Sequence, residues 1–315
     1  MPDRPPKIAC VTLSPAVDYH LGLSGTGPVR GATARAVTRR FRAGGKGINV
    51  ARCLADYPET VSFYFIGKDF TSAYLNPPKT GKAVCIETAT ESVRLNVKIT
   101  DGDHVMTEIN ARSEVTPEDI ERMEAALFEE LAAGDYLLLC GSVPQGAPED
   151  IYARWIGRAH ALHIFSALDT SGEFLRTGIA AQPDLIKPNH TEAAALLGMT
   201  EACVLRDPST AARELRERFS YRGKILLSLG KQGAVYSEAP GAMVARPVET
   251  VIPGPTAGAG DAMLAGVITA LIDQLPPEKC LERAARFAAD SLLRNPVSDS
   301  PDRPKNRSRD TASER

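Results

Sequence analysis

The sequence has 315 residues, with 37 Lys+Arg against 39 Asp+Glu and a formal net charge of −2. Hydrophobic residues make up 43% and charged ones 24%, a globular balance that excludes a disordered or fibrous chain. The near-neutral charge excludes a nucleic-acid binder held by bulk electrostatics, and no apolar run approaches the roughly 20 residues that span a bilayer.

The N-terminus, MPDRPPKIACVTL, lacks the pattern of a signal peptide. The six cysteines, at 10, 53, 85, 140, 203 and 280, form no C-x-x-C pair. Reduced thiols in a cytoplasmic protein are expected, and neither a disulfide framework nor a zinc site.

KIACVTL (7–13) reads as a first buried strand. The stretch 19–43 is rich in Gly, Thr and Arg, and Gly44 to Tyr57 reads as a glycine-led helix. VSFYFI (61–66) is a further strand, followed by the short strands KAVCIE, SVRLNVKI and HVMTEIN within about 80–110. The β-rich stretches 19–43 and 80–110 are expected to form one small separate sheet. A helix starts at Thr116-Pro117-Glu118-Asp119, with a cap, proline in the first turn and acids behind it.

Strands and helices then alternate. YLLLC (136–140), HIFSAL (163–168), DLIK (184–187) and KILLSL (224–229) are nearly continuous apolar runs, as parallel strands covered on both faces require. Helices are expected over about 148–161, 171–181, 190–198, 208–219, 259–273 and 278–293. The fold class is α/β, a doubly wound and mainly parallel sheet. Residues 295–315, almost devoid of apolar side chains, are expected to be a disordered tail after a domain covering 1–294.

In such sheets ligands bind beyond the carboxyl ends of the strands. Ser14 to Asp18, Gly141-Ser142, Asp169-Thr170, Lys187-Pro188-Asn189 and Gly230 to Gly233 follow strands. Ala43-Gly44-Gly45-Lys46-Gly47-Ile48-Asn49 is either a tight turn before a helix or an anion cradle at a helix start. Gly258-Ala259-Gly260-Asp261 opens a helix without a dinucleotide fingerprint. Its backbone N–H groups could cradle a transferred phosphoryl group, with Asp261 either taking a proton or capping the helix. Asn189 and Glu192 match a capping box, or a site near a nucleotide-bound metal with Lys187 beside it. Arg94, Asn96 and Lys98 alternate, so they share one face of a strand, either a solvated face or a phosphate site.

Seven ordered motifs, T-L-S-P-A-V-D (12–18), A-G-G-K-G-I-N-V-A-R (43–52), R-L-N-V-K (94–98), G-S-V-P (141–144), K-P-N-H-T-E (187–192), S-L-G-K-Q-G-A (228–234) and A-G-A-G-D-A-M (257–263), resemble the ribokinase-like phosphofructokinase-B family of sugar kinases. The likeness runs from about Ile8 to Leu293 and is greatest to the kinases of phosphorylated hexoses. It implies ATP- and Mg²⁺-dependent phosphorylation of fructose 1-phosphate at its 6-hydroxyl. Tagatose 6-phosphate or fructose 6-phosphate as substrate is the alternative, as is a non-catalytic sugar-phosphate sensor.

The resemblance also implies roles. Asp261 would be the catalytic base, with Gly258, Ala259 and Gly260 as an anion hole. Asp18, Gly44, Gly45, Asn49 and Ser142 would hold the sugar, and Lys46, Arg94, Asn96 and Lys98 its phosphate. Lys187, Asn189, Ser228, Leu229, Gly230, Lys231, Gln232, Gly233 and Gly260 would hold ATP, and Glu192 the metal through water. The small sheet would be a lid, pairing two subunits into a homodimer. Ser14 departs from the subgroup's usual Asn, and the segment after Gly67 is shorter than its usual pattern.

Overall fold

The computed structural model describes residues 4–24, 29, 31–68, 75, 82–89, 93–102, 104–239, 242–246 and 258–294. The expected tail at 295–315, Ala257 and most of the segment after Gly67 lie outside the described residues.

Thirteen strands among the described residues make two sheets. The large sheet contains β1 (Ile8–Thr12), β4 (Thr60–Ile66), β5 (Lys82–Glu87), β8 (Tyr136–Cys140), β9 (Phe165–Asp169), β10 (Leu185–Ile186), β11 (Lys224–Ser228), β12 (Ala234–Ala239) and β13 (Ala242–Arg246). Its order is β13-β12-β11-β10-β9-β8-β1-β4-β5. Every pair is parallel except β11–β12 and β12–β13. The small sheet contains β2 (Ala16–Leu23), β3 (Thr38–Gly44), β6 (Arg94–Asp101) and β7 (His104–Asn110), in the order β3-β2-β6-β7.

Two boundaries correct the sequence reading. KAVCIE pairs with β4 at the edge of the large sheet and takes no part in the small one, which therefore draws on 94–110 rather than 80–110. The helix expected from Gly44 runs instead over α1 (Lys46–Cys53). Gly44 still belongs to β3, and Gly45 has φ 120°, a value open mainly to glycine and incompatible with a helix. The antiparallel β12–β13 hairpin and the short α6 (Glu201–Arg206) carry no expectation from the sequence.

Successive side chains of a strand point to opposite faces, and the large sheet uses both. Ala9, Val11, Leu137, Leu139 and Leu168 pack under α2 (Pro117–Glu130), α3 (Ile151–Ala161) and α4 (Gly172–Ala180). Helices α5 (His190–Leu197) and α7 (Pro208–Arg218) continue that layer over Ile186, Ile225 and Leu227. Ile8, Cys10, Leu138, Cys140 and Leu226 pack instead under α1, α8 (Ala259–Ile272) and α9 (Pro277–Arg294). Helix α8 is apolar all round because it is buried all round: every residue from Asp261 to Ala270 is buried.

Candidate active site

The site forms where the carboxyl ends of the central strands meet the starts of α1 and α8. Gly47 is what lets α1 sit there: a Cβ on it would lie 2.4 Å from both Thr12 Oγ1 and the Val11 carbonyl oxygen of β1. Helix α8 begins after Gly258, which has φ 88° and offers no side-chain cap. Its first N–H groups are left without intrahelical partners, an arrangement that favours an anion. Asp261 is therefore not the cap of its helix.

Asp261 is 6% exposed. Its Oδ2 accepts a hydrogen bond from Asn49 Nδ2 at 2.8 Å. Burial, reinforced by the negative charge of Asp169, pushes its carboxyl up to about 6, against the pull of Asn49, Lys187 and Lys46. Asp169, at the end of β9, is fully buried between two ammonium groups. Lys46 Nζ lies 2.6 Å from Oδ1 and Lys187 Nζ 3.2 Å from Oδ2. Burial opposes ionisation of Asp169, but the two lysines outweigh it and hold its carboxyl below the usual range. Burial likewise opposes the charge on Lys46, and Asp169, Glu192 and Asp261 more than restore it. Lys187 Nζ also faces the first turn of α8, 3.3 Å from where a Cβ on Gly260 would stand.

The small sheet supplies the other wall. Its register puts Asp18, Arg42, Arg94 and Asn96 on one face, with His20, Arg40 and Lys98 further out. Asn96 Nδ2 donates to Asp18 Oδ1 at 2.9 Å. Among the described residues Asn96 Oδ1 and Arg94 Nε are buried without a partner, so this wall has one acceptor and one donor to spare. Gly44 admits Asp18: a Cβ there would lie 2.4 Å from Asp18 Oδ2. Lys98 sits near Glu108 of β7, 3.8 Å away.

Two residues after Lys187, Asn189 caps α5. Its side chain accepts from the Glu192 N–H at 2.8 Å, and Glu192 Oε2 accepts from the Asn189 N–H at 2.9 Å. The capping box is thus present in full, and the Glu192 charge still acts on Lys46. Ser228 N–H donates to the Pro188 carbonyl, which sets the loop Leu229 to Gly233 beside Asn189. Lys231 and Gln232 are exposed there, and Gly230 and Gly233 have positive φ. Ser142 is exposed on the loop after β8. Ser14 Oγ is 2.6 Å from Ser113 Oγ.

Two residues here were not singled out from the sequence. Asp169 reads there only as the residue that follows the strand 163–168, without a role, although that position was itself the available signal. Arg52, in the last turn of α1, donates through Nη1 to the Ala43 carbonyl at 2.8 Å and to Asn49 Oδ1 at 3.2 Å. A cavity of about 690 Å³ opens beside Asn49, Arg52, Arg42 and Gly258.

No helix among the described residues is long and apolar enough to cross a membrane. Residues 10–302 match the model of the pfkB family of carbohydrate kinases. The chain is 36% identical to the 1-phosphofructokinase of Rhodobacter capsulatus, over 91% of this chain and 90% of the relative. It is 33% identical to the 1-phosphofructokinase of Escherichia coli K12, over 90% of each. Its fold superposes on that of phosphofructokinase-2 from Escherichia coli in complex with fructose-6-phosphate with a TM-score of 0.77, at 22% identity and covering 91% and 94% of the two chains. The chain belongs to the pfkB family of carbohydrate kinases, and it is a sugar-phosphate kinase.

Proposed function

We propose that the protein transfers the terminal phosphoryl group of ATP to the 6-hydroxyl of fructose 1-phosphate, giving fructose 1,6-bisphosphate, with Asp261 as general base. The observation that carries this reading is the Asp261 carboxyl, buried at the start of α8 and raised to about 6 beside two lysines. A carboxylate so placed is ionised at neutral pH yet basic enough to take a hydroxyl proton. The two 1-phosphofructokinase relatives support the choice of sugar phosphate.

In this reading Asp18, Asn49, Gly44, Gly45 and Ser142 hold the sugar, and Arg94, Asn96, Lys46 and Lys98 face its phosphate. The spare donor on Arg94 and the spare acceptor on Asn96 suit a ligand carrying both anionic and hydroxyl groups. As Asp261 takes the proton, charge on the transferred group develops against the N–H groups of Gly258, Ala259 and Gly260. Lys187, Asn189 and the loop Ser228 to Gly233 hold the nucleotide.

No cluster of three metal-binding side chains occurs among the described residues. The donor set fits an ion held by water and phosphate, with Glu192 reaching it through water. Bound Mg²⁺ would supply charge neutralisation on the phosphates. The small sheet acts as a lid that keeps water, a competing acceptor, out of the site. We further infer a cytoplasmic homodimer joined through the small sheet; six cysteines outside any disulfide accord with that compartment.

The test is ADP release with Mg·ATP against fructose 1-phosphate, fructose 6-phosphate, tagatose 6-phosphate and unphosphorylated fructose, with Asp261→Asn as control. Preference for fructose 1-phosphate, lost in the variant, is the expected result. Preference for a 6-phosphate moves the acceptor to the 1-hydroxyl. Binding of a sugar phosphate with no turnover of any would overturn the catalytic reading.

A further inference from the structure

Asn49 can help Asp261 only if its amide is turned one way. With Nδ2 toward the carboxylate it donates; turned over, it would press its carbonyl oxygen against the carboxylate. The carboxylate itself favours the first, and a donor on the other side of the amide can hold the amide in that orientation. That donor is Arg52, one helical turn on, whose Nη1 is 3.2 Å from Asn49 Oδ1. A guanidinium has donors and no acceptor, so it can meet only the oxygen end of the amide. The same Nη1 is 2.8 Å from the Ala43 carbonyl oxygen, on β3 just before the Gly44-Gly45 turn.

We propose that Arg52 is a positioning residue: it fixes the orientation in which Asn49 donates to the base, and it ties that orientation to the seat of the small sheet. The proposal rests on the reading of Asp261 as the base. The chain of contacts is short and polar, from Ala43 and Arg52 to Asn49 and on to Asp261. An arginine in the last turn of a helix has an ordinary use, which is to offset the helix dipole at the C-terminal carbonyls. Arg52 instead turns back toward the start of α1.

It does so at a cost. Burial and the neighbouring charge of Arg42 bring its guanidinium down to about 10, with Asp18 working the other way. Arg42 faces it from β3, Asp18 from β2 and Tyr64 from β4, while Cys53 adjoins it on its own helix. Around Asp261, Asp169 of β9 raises the carboxyl, and Lys187 and Lys46 lower it together with the Asn49 bond.

The experiment reads the Asp261 titration directly, by ¹³C-carboxyl NMR of the full chain. The Asp261 signal is assigned by its loss in Asp261→Asn. Arg52→Met keeps the length of the side chain and removes its donors. Asn49→Ala removes the relay, and a double variant combines the two. Arg52→Met is expected to raise the Asp261 midpoint by about one pH unit, because a donor to the charged form is lost. The acid limb of kcat/KM for fructose 1-phosphate should follow.

If Arg52 acts through Asn49, the double variant titrates where Asn49→Ala does. An unmoved midpoint in Arg52→Met overturns the proposal. So does a further shift in the double variant beyond Asn49→Ala, because that would be the guanidinium charge acting at a distance. Arg52→Lys covers the case of a methionine variant that does not fold. It reaches one oxygen at a time, so a smaller shift of the same sign is expected, and no shift overturns. Turnover that survives Asp261→Asn would instead defeat the base reading, independently of where Asp261 titrates.

Discussion

Asn49 Nδ2 donates to Asp261 Oδ2 at 2.8 Å, a bond that joins the start of α1 to the start of α8 across 212 residues of chain. It opposes burial. Burial and Asp169 favour the protonated carboxyl, whereas Asn49 and two lysines favour the charged one, and the balance stands at about 6. A carboxyl poised there is ionised at neutral pH and retains appreciable proton affinity, as the proposed base requires.

That balance gives a signed prediction for both rate and stability. Below pH 6, kcat/KM should fall about tenfold per unit. The carboxyl binds its proton more tightly in the folded chain than in the unfolded one, where its ordinary value is 3.8. Its favourable contribution is therefore fully present below about pH 4 and is lost as the pH rises through 6. Above that, the folded protein bears the cost of a buried carboxylate. Asp261→Asn removes this cost, on the order of 1–3 kcal/mol at pH 7.5. The variant should be inactive and melt higher than the parent at pH 7.5, with the gain gone at pH 4. An equal gain at both values would mean that ionisation of Asp261 is not its source.

Asp169→Asn should act with the opposite sign on the base. Asp169 raises Asp261, so its removal lets Asp261 titrate lower and moves the acid limb of kcat/KM to lower pH. The same change strips the counter-charge from Lys187, whose side chain is only 4% exposed, and from the more open Lys46. Leaving a buried charge unpaired costs about 3 kcal/mol, which denaturant unfolding would read as a lower midpoint with unchanged slope. A limb that moves upward would contradict the charge arrangement around Asp261.

How much of this could be read from the sequence depends on how local each cause is. The start of α2 was legible because Thr116, Pro117 and Asp119 act on their own turn; the expected cap is formed, and Asp119 completes it into a capping box. The parallel strands were legible because burial on both faces makes them continuously apolar. Strand β5 was misplaced because KAVCIE shows that it is a strand but not which strand it joins. Strand β10 proved only two residues long, since Pro188 has no N–H with which to extend the ladder. In the site, Asp261, Asn49 and Asn96 stood inside motifs. Asp169 stood in none, and Arg52 closes the motif 43–52 without a role of its own, because what marks them is a contact made in three dimensions: two lysines converging on one carboxylate, and a guanidinium turned back along its helix.

Gly44→Ala tests the seat of the small sheet. The added methyl would stand 2.4 Å from Asp18 Oδ2, so the carboxylate must move away from Asn96. Gly44 has no positive φ, so the backbone accepts alanine without strain. The expected result is a rise of about tenfold in KM for the sugar phosphate, since small displacements of positioning groups are costly, with little change in Tm. A large loss of Tm with unchanged KM would place the role of Gly44 in folding alone.

The far side of the small sheet carries the last prediction. Near its root, Val17 and Ala43 pack on Ile48 and Tyr64. Further out, the register places Leu21, Val97, Ile99 and Ile109 on that same apolar face, and Ile109 is 60% exposed. Tyr19 and Phe41 stack there at 4.3 Å. A sheet with a charged face toward the site and an outer face that is apolar apart from Arg39 and Thr107 is a surface that a second copy can cover. Ile109→Glu would put a charge in the centre of that contact, where desolvating it is expensive. Sedimentation equilibrium should show the parent at twice the mass of the chain and the variant at the mass of one. Because the same sheet forms a wall of the site, dissociation should also raise KM for the sugar phosphate. A parent that sediments as a single chain would remove the dimer and leave the apolar face to another partner.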